Sequence, residues 1–303
     1  MPHDQFAQAM VSAGLTPPDT IHADGLLHRF STTGRRSDRA GWYVLHADGL
    51  AAGVFGCWRT GLTETWCSKA DSALTQAERD SMRQRVQEAK QQRDQAQAQR
   101  QQAAQQQAQA RWEAAKPTRW HPYTKAKGVQ TYGLRAEPCG TLLVPMRDTF
   151  GTLHSLQTIA PDGSKRFMAG GRVRGCYHAV GDPGAALVVC EGMATAHSVH
   201  AATGLAVAAA FSASNLVPVA QALRRKFPSL PIILAADDDW RTEGNPGLAA
   251  ARHAALAVGA LVVAPHFPAE RPPKATDFND LAALAGLDAV RACFAEPLEK
   301  KPC

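Results

Sequence analysis

Residues 231–240 read "PIILAADDDW", an apolar strand running straight into three carboxylates. Two unit charges roughly 4 Å apart repel by about 4 kcal/mol at an effective dielectric of about 20. Asp237, Asp238 and Asp239 therefore call for positive charge nearby. Side chains alternate along an extended chain, which sends Asp237 and Asp239 to one side and Asp238 to the other. Three more short apolar runs surround this one: "AALVVC" at 185–190, "GLAVAAA" at 204–210 and "ALVVAP" at 260–265. Stretches of helical composition separate them, at 192–203, 215–227 and 247–258. That β-α-β-α-β-α-β rhythm predicts an α/β domain with a doubly wound, largely parallel sheet covered on both faces.

Functional groups in such sheets gather outside the carboxyl ends of the strands. The run "ALVVCEG" places Glu191 at its tip, and Gly192 lets the chain turn sharply into a helix. If the two strands are neighbours, Glu191, Asp237 and Asp239 converge on one hard cation. Mg²⁺ suits an all-oxygen set that leaves room for substrate phosphates. Each motif alone has a plainer reading, since a DDD turn can be a helix N-cap with spare charge.

The preceding residues have another character. Residues 117–180 carry nine Lys/Arg against three Asp/Glu, whereas 181–303 carry ten against twelve. A basic segment beside an acidic one suits a polyanion held next to a metal. The basic stretch is β-rich, with turns at "DTFG" and "PDGS". Further upstream, residues 71–116 turn to "QQRDQAQAQRQQAAQQQAQARW". This composition favours helix but shows no apolar stripe, so an exposed, partly frayed linker is expected. Residues 26–66 alternate aromatic runs with turns, and "GWYVLHADGLAAGVFGCW" reads as two antiparallel strands. Arg29, Arg35, Arg36 and Arg39, interleaved with Phe30, Trp42 and Tyr43, have the makings of a DNA-binding module that grips phosphates and stacks bases. The same pattern reads equally as a small aromatic core with solvated arginines. The expected organisation is an N-terminal β-rich module at 1–70, a Gln/Ala-rich helical linker at 71–116, a basic β-rich subdomain at 117–184 and the α/β domain at 185–303.

Taken together, the Glu after the first strand and the Asp-x-Asp after the third resemble the Toprim domain of bacterial primases, topoisomerases and some nucleases. The later "ATDFNDL" resembles the acidic motif of the primase branch and adds Asp277 and Asp280 as metal ligands. The stretch from "HPYTKAKGVQTYGL" to "GGRVRGCYHAVG" resembles the basic half of the primase polymerase core. That resemblance carries over Lys125, Lys127, Arg135, Arg147, Lys165, Arg166, Arg172 and Arg174 as nucleotide and template contacts, with Lys165 and Arg166 foremost. The whole chain resembles the Toprim primases of conjugative plasmids, prophages and integrative elements.

The implied activity is synthesis of short RNA primers on single-stranded DNA by Mg²⁺-dependent nucleotidyl transfer, with Mn²⁺ as a substitute. Asp237 and Asp239 would be metal ligands, and Glu191 a further ligand or general base. The implied partners are template DNA, ribonucleoside triphosphates and a replicative helicase. Two alternatives stay open: a Toprim nuclease, and a DNA-binding replication accessory. A topoisomerase needs a nucleophilic Tyr on a separate domain, but all four tyrosines precede the Toprim-like segment. Irregular spacing of His28, His46, Cys57 and Cys67 argues against zinc. No GxxxxGK[ST] motif occurs. Seven scattered cysteines without CxxC, an N-terminus lacking an apolar core and the lack of an 18-residue apolar run lead to the expectation of a cytoplasmic protein with no membrane partner.

Overall fold

The computed structural model describes residues 1–35 and 38–299. By packing, the chain divides into two units, Met1–Gln99 and Arg100–Cys303. No helix among the described residues is long and apolar enough to cross a membrane.

The first unit opens with helix α1 (Pro2–Ser12), followed by strands β1 (His28–Phe30), β2 (Gly41–His46), β3 (Ala52–Cys57) and β4 (Thr63–Cys67). They form an antiparallel sheet in sequence order. The two-residue period of β2 sorts its side chains between two covers. Tyr43 and Leu45 pack with Phe6 and Met10 of α1. Trp42 and Val44 turn to the opposite face, where Val86 and Ala89 lie. Gly53 lets α1 approach, since a Cβ there would stand 2.8 Å from Phe6.

That alternation corrects one sequence expectation. Trp42 is 1% exposed, so it fills a core and offers no face to a base. The guanidinium of Arg93 lies 5.5 Å from its ring. Arg36 lies outside the described residues. Arg29 stacks over Trp58 at 4.6 Å and donates to the carbonyl of Arg39. Arg39 donates back to the Arg29 carbonyl at 3.4 Å, and Arg35 is exposed.

Helix α2 (Gln76–Ala114) is one continuous helix of 39 residues, exposed over most of its length but docked at a few buried alanines. Within the first unit Ala89 is buried against Trp42, Val44 and Val54, while Arg85 donates to the carbonyls of Asp48 and Leu50. Within the second unit Ala108 and Trp112 pack on Leu143, Leu153 and Leu156. The docking stripe is built largely of alanines spaced by whole turns, so it adds almost nothing to hydropathy yet allows close approach.

The second unit continues with β5 (Lys116–Pro117), α3 (Pro122–Ala126), β6 (Arg135–Ala136), β7 (Leu142–Arg147), β8 (Leu153–Ile159) and β9 (Lys165–Phe167). These strands form an antiparallel sheet in sequence order with β9 at an edge. Strand β10 (His178–Val180) leads into β11 (Leu187–Cys190), α4 (Met193–Thr203), β12 (Ala206–Ala209), α5 (Ala213–Lys226), β13 (Ile232–Ala235), α6 (Pro246–Val258), β14 (Leu261–Val263) and α7 (Phe278–Glu299). Helix α7 is broken at Gly286, which has φ 82°. The strand order is β10-β12-β11-β13-β14, parallel except for β10. Val188 and Cys190 face α4 and α7, whereas Leu187 and Val189 face α5 and α6. Each such buried aliphatic side chain contributes about 1.5–3 kcal/mol. The sheet is therefore doubly wound, as the four apolar runs predict.

Candidate active site

Strands β11 and β13 are hydrogen-bonded parallel neighbours with Cys190 beside Ala235. Continuing that register by one residue places Glu191 level with Ala236, and Asp237 follows at once. The tips carrying the two acidic motifs thus lie side by side at the carboxyl end of the sheet. Glu191 faces the first turn of α5, where the Ala213 N–H holds its carboxylate down. Burial and the nearby Asp239 outweigh that N–H and raise the Glu191 carboxyl overall.

The three aspartates have three different environments. Asp238 points away from the other two, as the alternation predicts. Its Oδ2 accepts from Arg271 at 2.5 Å and its Oδ1 from Asn245 at 2.6 Å. Asp239 is fixed by the Gly247 N–H, which donates to Oδ2 at 2.9 Å. A Cβ on Gly247 would stand 2.7 Å from the Asp237 carbonyl, so only glycine lets α6 start there. Asp237 is left over. Its Oδ1 is buried with no hydrogen-bond partner. Burial first, then Asp277, Glu191, Asp239 and Asp280, push its carboxyl up to about 8.

Asp277 and Asp280 begin α7 as a reciprocal cap. Asp277 Oδ1 accepts from the Asp280 N–H at 2.8 Å, and Asp280 Oδ2 accepts from the Asp277 N–H at 3.4 Å. Thr195 donates to Asp277 Oδ2 at 3.0 Å, and the Lys127 ammonium stands 3.9 Å from Asp280. Burial raises the Asp277 carboxyl. Both residues are near enough to act on Asp237, but much of their hydrogen-bonding capacity is spent on the helix end. Among the described residues no three His, Cys, Asp or Glu side chains form a closed metal-ligand group. An open group of acids with one orphaned oxygen still fits a hard cation that takes few protein ligands.

The basic residues separate into two sets. Lys165 and Arg166 lie exposed on the edge strand β9, and Lys125 and Arg174 are exposed as well. Strand β9 reaches the acidic tip through an aromatic contact, Phe167 on Phe211 at 6.1 Å, and the Phe211 N–H donates to the Glu191 carbonyl at 2.7 Å. Phe211 sits at φ 71°, a region costly for a side chain this large. The other set is structurally engaged. Arg135 donates to the Trp112 carbonyl at the end of α2 at 2.7 Å, and Arg147 to the Gly151 carbonyl at 2.8 Å. Both stack on Trp112. Arg172 donates to the Arg174 carbonyl at 3.1 Å.

Two positioning residues escape sequence reading. Arg271 comes from a loop 32 residues beyond Asp239, and nothing local marks it. Asn245 accepts from the Asp239 N–H at 2.8 Å while sitting at φ 44°. The "NPG" after the acidic run is a signal for it, combining an N-cap residue, Pro at the first helical position and a close-approach Gly.

Residues 186–288 match the family described as Toprim domain. A DNA primase TraC of Escherichia coli is 38% identical over 295 residues, covering 90% of this chain and 28% of that protein. A second DNA primase TraC of Escherichia coli is 38% identical over 307 residues, covering 93% of this chain and 20% of that protein. The chain thus spans less than a third of the length of either relative. The primase fragment of the bacteriophage T7 primase-helicase protein aligns over 57% of this chain and 68% of its own, with 15% identity and a TM-score of 0.40. That likeness is too slight to bear on function. Residues 186–288 thus match the Toprim domain, and most of the chain is similar in sequence to two proteins named DNA primase TraC.

Proposed function

We propose that this chain carries the nucleotidyl-transfer core of a DNA primase, building short RNA primers on single-stranded DNA during replication or transfer of a mobile element. The observation that carries this reading is the parallel pairing of β11 with β13, which sets Glu191 beside the Asp237–Asp239 tip. The relatives named DNA primase TraC support the choice of primase within the Toprim group.

A bound Mg²⁺, or Mn²⁺ in its place, would neutralise the charge that builds on a transferring phosphoryl group. Asp237 and Asp239 would hold it, since the orphaned Asp237 oxygen lacks any other partner. Asp277 and Asp280 are the candidates for a second ion. Glu191, its carboxyl raised by burial, is suited to take a proton from the attacking hydroxyl. Lys165 and Arg166 on the exposed edge strand would neutralise the backbone of template or triphosphate. Arg271 and Asn245 act through the aspartates by fixing their loop.

The test is incubation with single-stranded DNA, Mg²⁺ and labelled ribonucleoside triphosphates, followed by gel analysis. Short oligoribonucleotides complementary to an uncut template are expected. Metal-dependent shortening of the template without incorporation would assign the site to a nuclease. Binding of DNA with neither reaction would leave an accessory protein.

A further inference from the structure

Beyond the acidic tip the chain exposes a large aromatic ring that nucleotidyl transfer does not itself require. Trp240 follows Asp239 directly and is 47% exposed, although tryptophan is highly buried on average. Its backbone N–H donates to the Asp238 carbonyl at 2.8 Å, closing a tight turn directly after Asp239.

The ring also has a rigid support. Arg271 is held by three hydrogen bonds, to Asp238 Oδ2 at 2.5 Å, the Asp238 carbonyl at 2.6 Å and the Ala275 carbonyl at 2.9 Å. Its guanidinium lies 4.0 Å from the Phe267 ring centroid and 5.1 Å from that of Trp240. The same guanidinium that orients Asp238 therefore orients the indole. Arg241, the next residue, is exposed, with its guanidinium 5.4 Å from the indole. An exposed indole directly after Asp239, backed by the Arg271 guanidinium and with the Arg241 guanidinium over its ring, offers a base a stacking partner and its phosphate a cation.

We propose that Trp240 is a stacking platform for a nucleobase entering the acidic site, with Arg241 neutralising the adjoining phosphate. This rests on the nucleotidyl-transfer reading and adds a recognition element to it. The shared chemistry is a nucleobase, whether on an incoming nucleoside triphosphate or on the template strand.

The experiment compares the whole chain with Trp240→Leu and Trp240→Phe. Leucine keeps an apolar cover over Arg271 but has no π face, whereas phenylalanine keeps one. Equilibrium binding is measured with a short thymidine oligonucleotide and its abasic equivalent, and with a ribonucleoside triphosphate and its base-free counterpart, inorganic tripolyphosphate. The wild type is expected to prefer the base-bearing ligand by roughly 5- to 100-fold. Trp240→Leu should bring that ratio near one, with an unchanged melting temperature, and Trp240→Phe should keep most of it. Loss confined to the oligonucleotide makes the template the source of the base, and loss confined to the triphosphate makes it the incoming nucleotide. Either result supports the platform. A wild-type preference retained in full by Trp240→Leu for both ligands overturns the platform and leaves the proposed function standing. A wild type that binds neither ligand overturns both.

Discussion

Asp38 and Asp237 both carry buried carboxylate oxygens, in different units, and their surroundings are opposite in kind. Asp38 is 8% exposed and ringed by donors. It accepts from the N–H groups of Thr32 and Ala40 at 2.8 and 3.0 Å, the hydroxyls of Thr32 and Thr33, and Arg59 at 2.7 Å. Burial alone would raise its carboxyl, but the donors of Ala40, Thr32 and Thr33 outweigh burial and hold it far below the ordinary range. Asp237 is ringed by fellow acids, has an oxygen with no donor, and is pushed up to about 8. A carboxylate satisfied by the fold holds the fold. One that the fold leaves unsatisfied is available to a ligand.

The largest effect should follow from Asp237→Asn. Nucleotide transfer is expected to fall by at least about 10²-fold, the scale of losing one charge-stabilising group in a reaction centre. Metal-free stability should not fall with it. Because the folded-state carboxyl is raised from 3.8 to about 8, the folded wild type holds a proton that the unfolded chain releases. Stability therefore drains away as pH rises between those values. The variant's advantage in melting temperature should vanish at acid pH and be greatest at alkaline pH. A variant that melts lower than wild type throughout would make Asp237 a structural residue like Asp38.

A third buried carboxylate, given neither donors nor neighbouring acids, would sharpen the contrast. Ala108 is fully buried against leucines, and Ala110 two residues on is exposed. Ala108→Asp should cost about 3 kcal/mol in a urea melt, since the charge has no compensation. Ala110→Asp should stay within about 0.5 kcal/mol. Equal small effects would return this part of α2 to the exposed linker that its composition suggests.

Asp38→Asn should lower stability by about 2 kcal/mol, because one oxygen becomes a donor facing donors. The pH dependence has the opposite sign to that of Asp237. A depressed carboxyl contributes stability that is present above its unfolded value of 3.8 and is lost as pH falls below it. Acid melts of the wild type and variant should therefore converge.

What is legible in the sequence follows the same division. The acidic tip can be read because strand period, terminal acids and helix starts are local signals, and two neighbouring strands place Glu191 and Asp237 together. Arg271 cannot, since only the folded chain brings its guanidinium to Asp238. The docking of α2 is hidden because alanine stripes score as polar helix. Strand β2 is legible, but its two faces are both covered, so Trp42 goes to a core where a single-faced sheet would have exposed it. The cap made by Asp277 and Asp280 is present as D-x-x-D, a spacing that suits a helix start as well as a metal.

The smallest expected effect concerns the exposed cations of β9, and it tests whether the contrast extends to positive charge. Lys165 and Arg166 are exposed on an edge strand, the ammonium of Lys165 resting 5.0 Å from the Tyr123 ring. Arg135, by comparison, is tied to the carbonyls that end α2. The double change Lys165→Ala, Arg166→Ala should leave the melting temperature alone, because exposed side chains contribute little to stability. It should flatten the dependence of single-stranded DNA binding on log salt by about one to two units, one for each phosphate no longer neutralised. Arg135→Ala should do the reverse, lowering the melting temperature and leaving the slope unchanged. If the double variant keeps the full slope while Arg135→Ala loses it, the fold-satisfied cation is the one that binds, and the rule drawn from the two aspartates does not hold for positive charge.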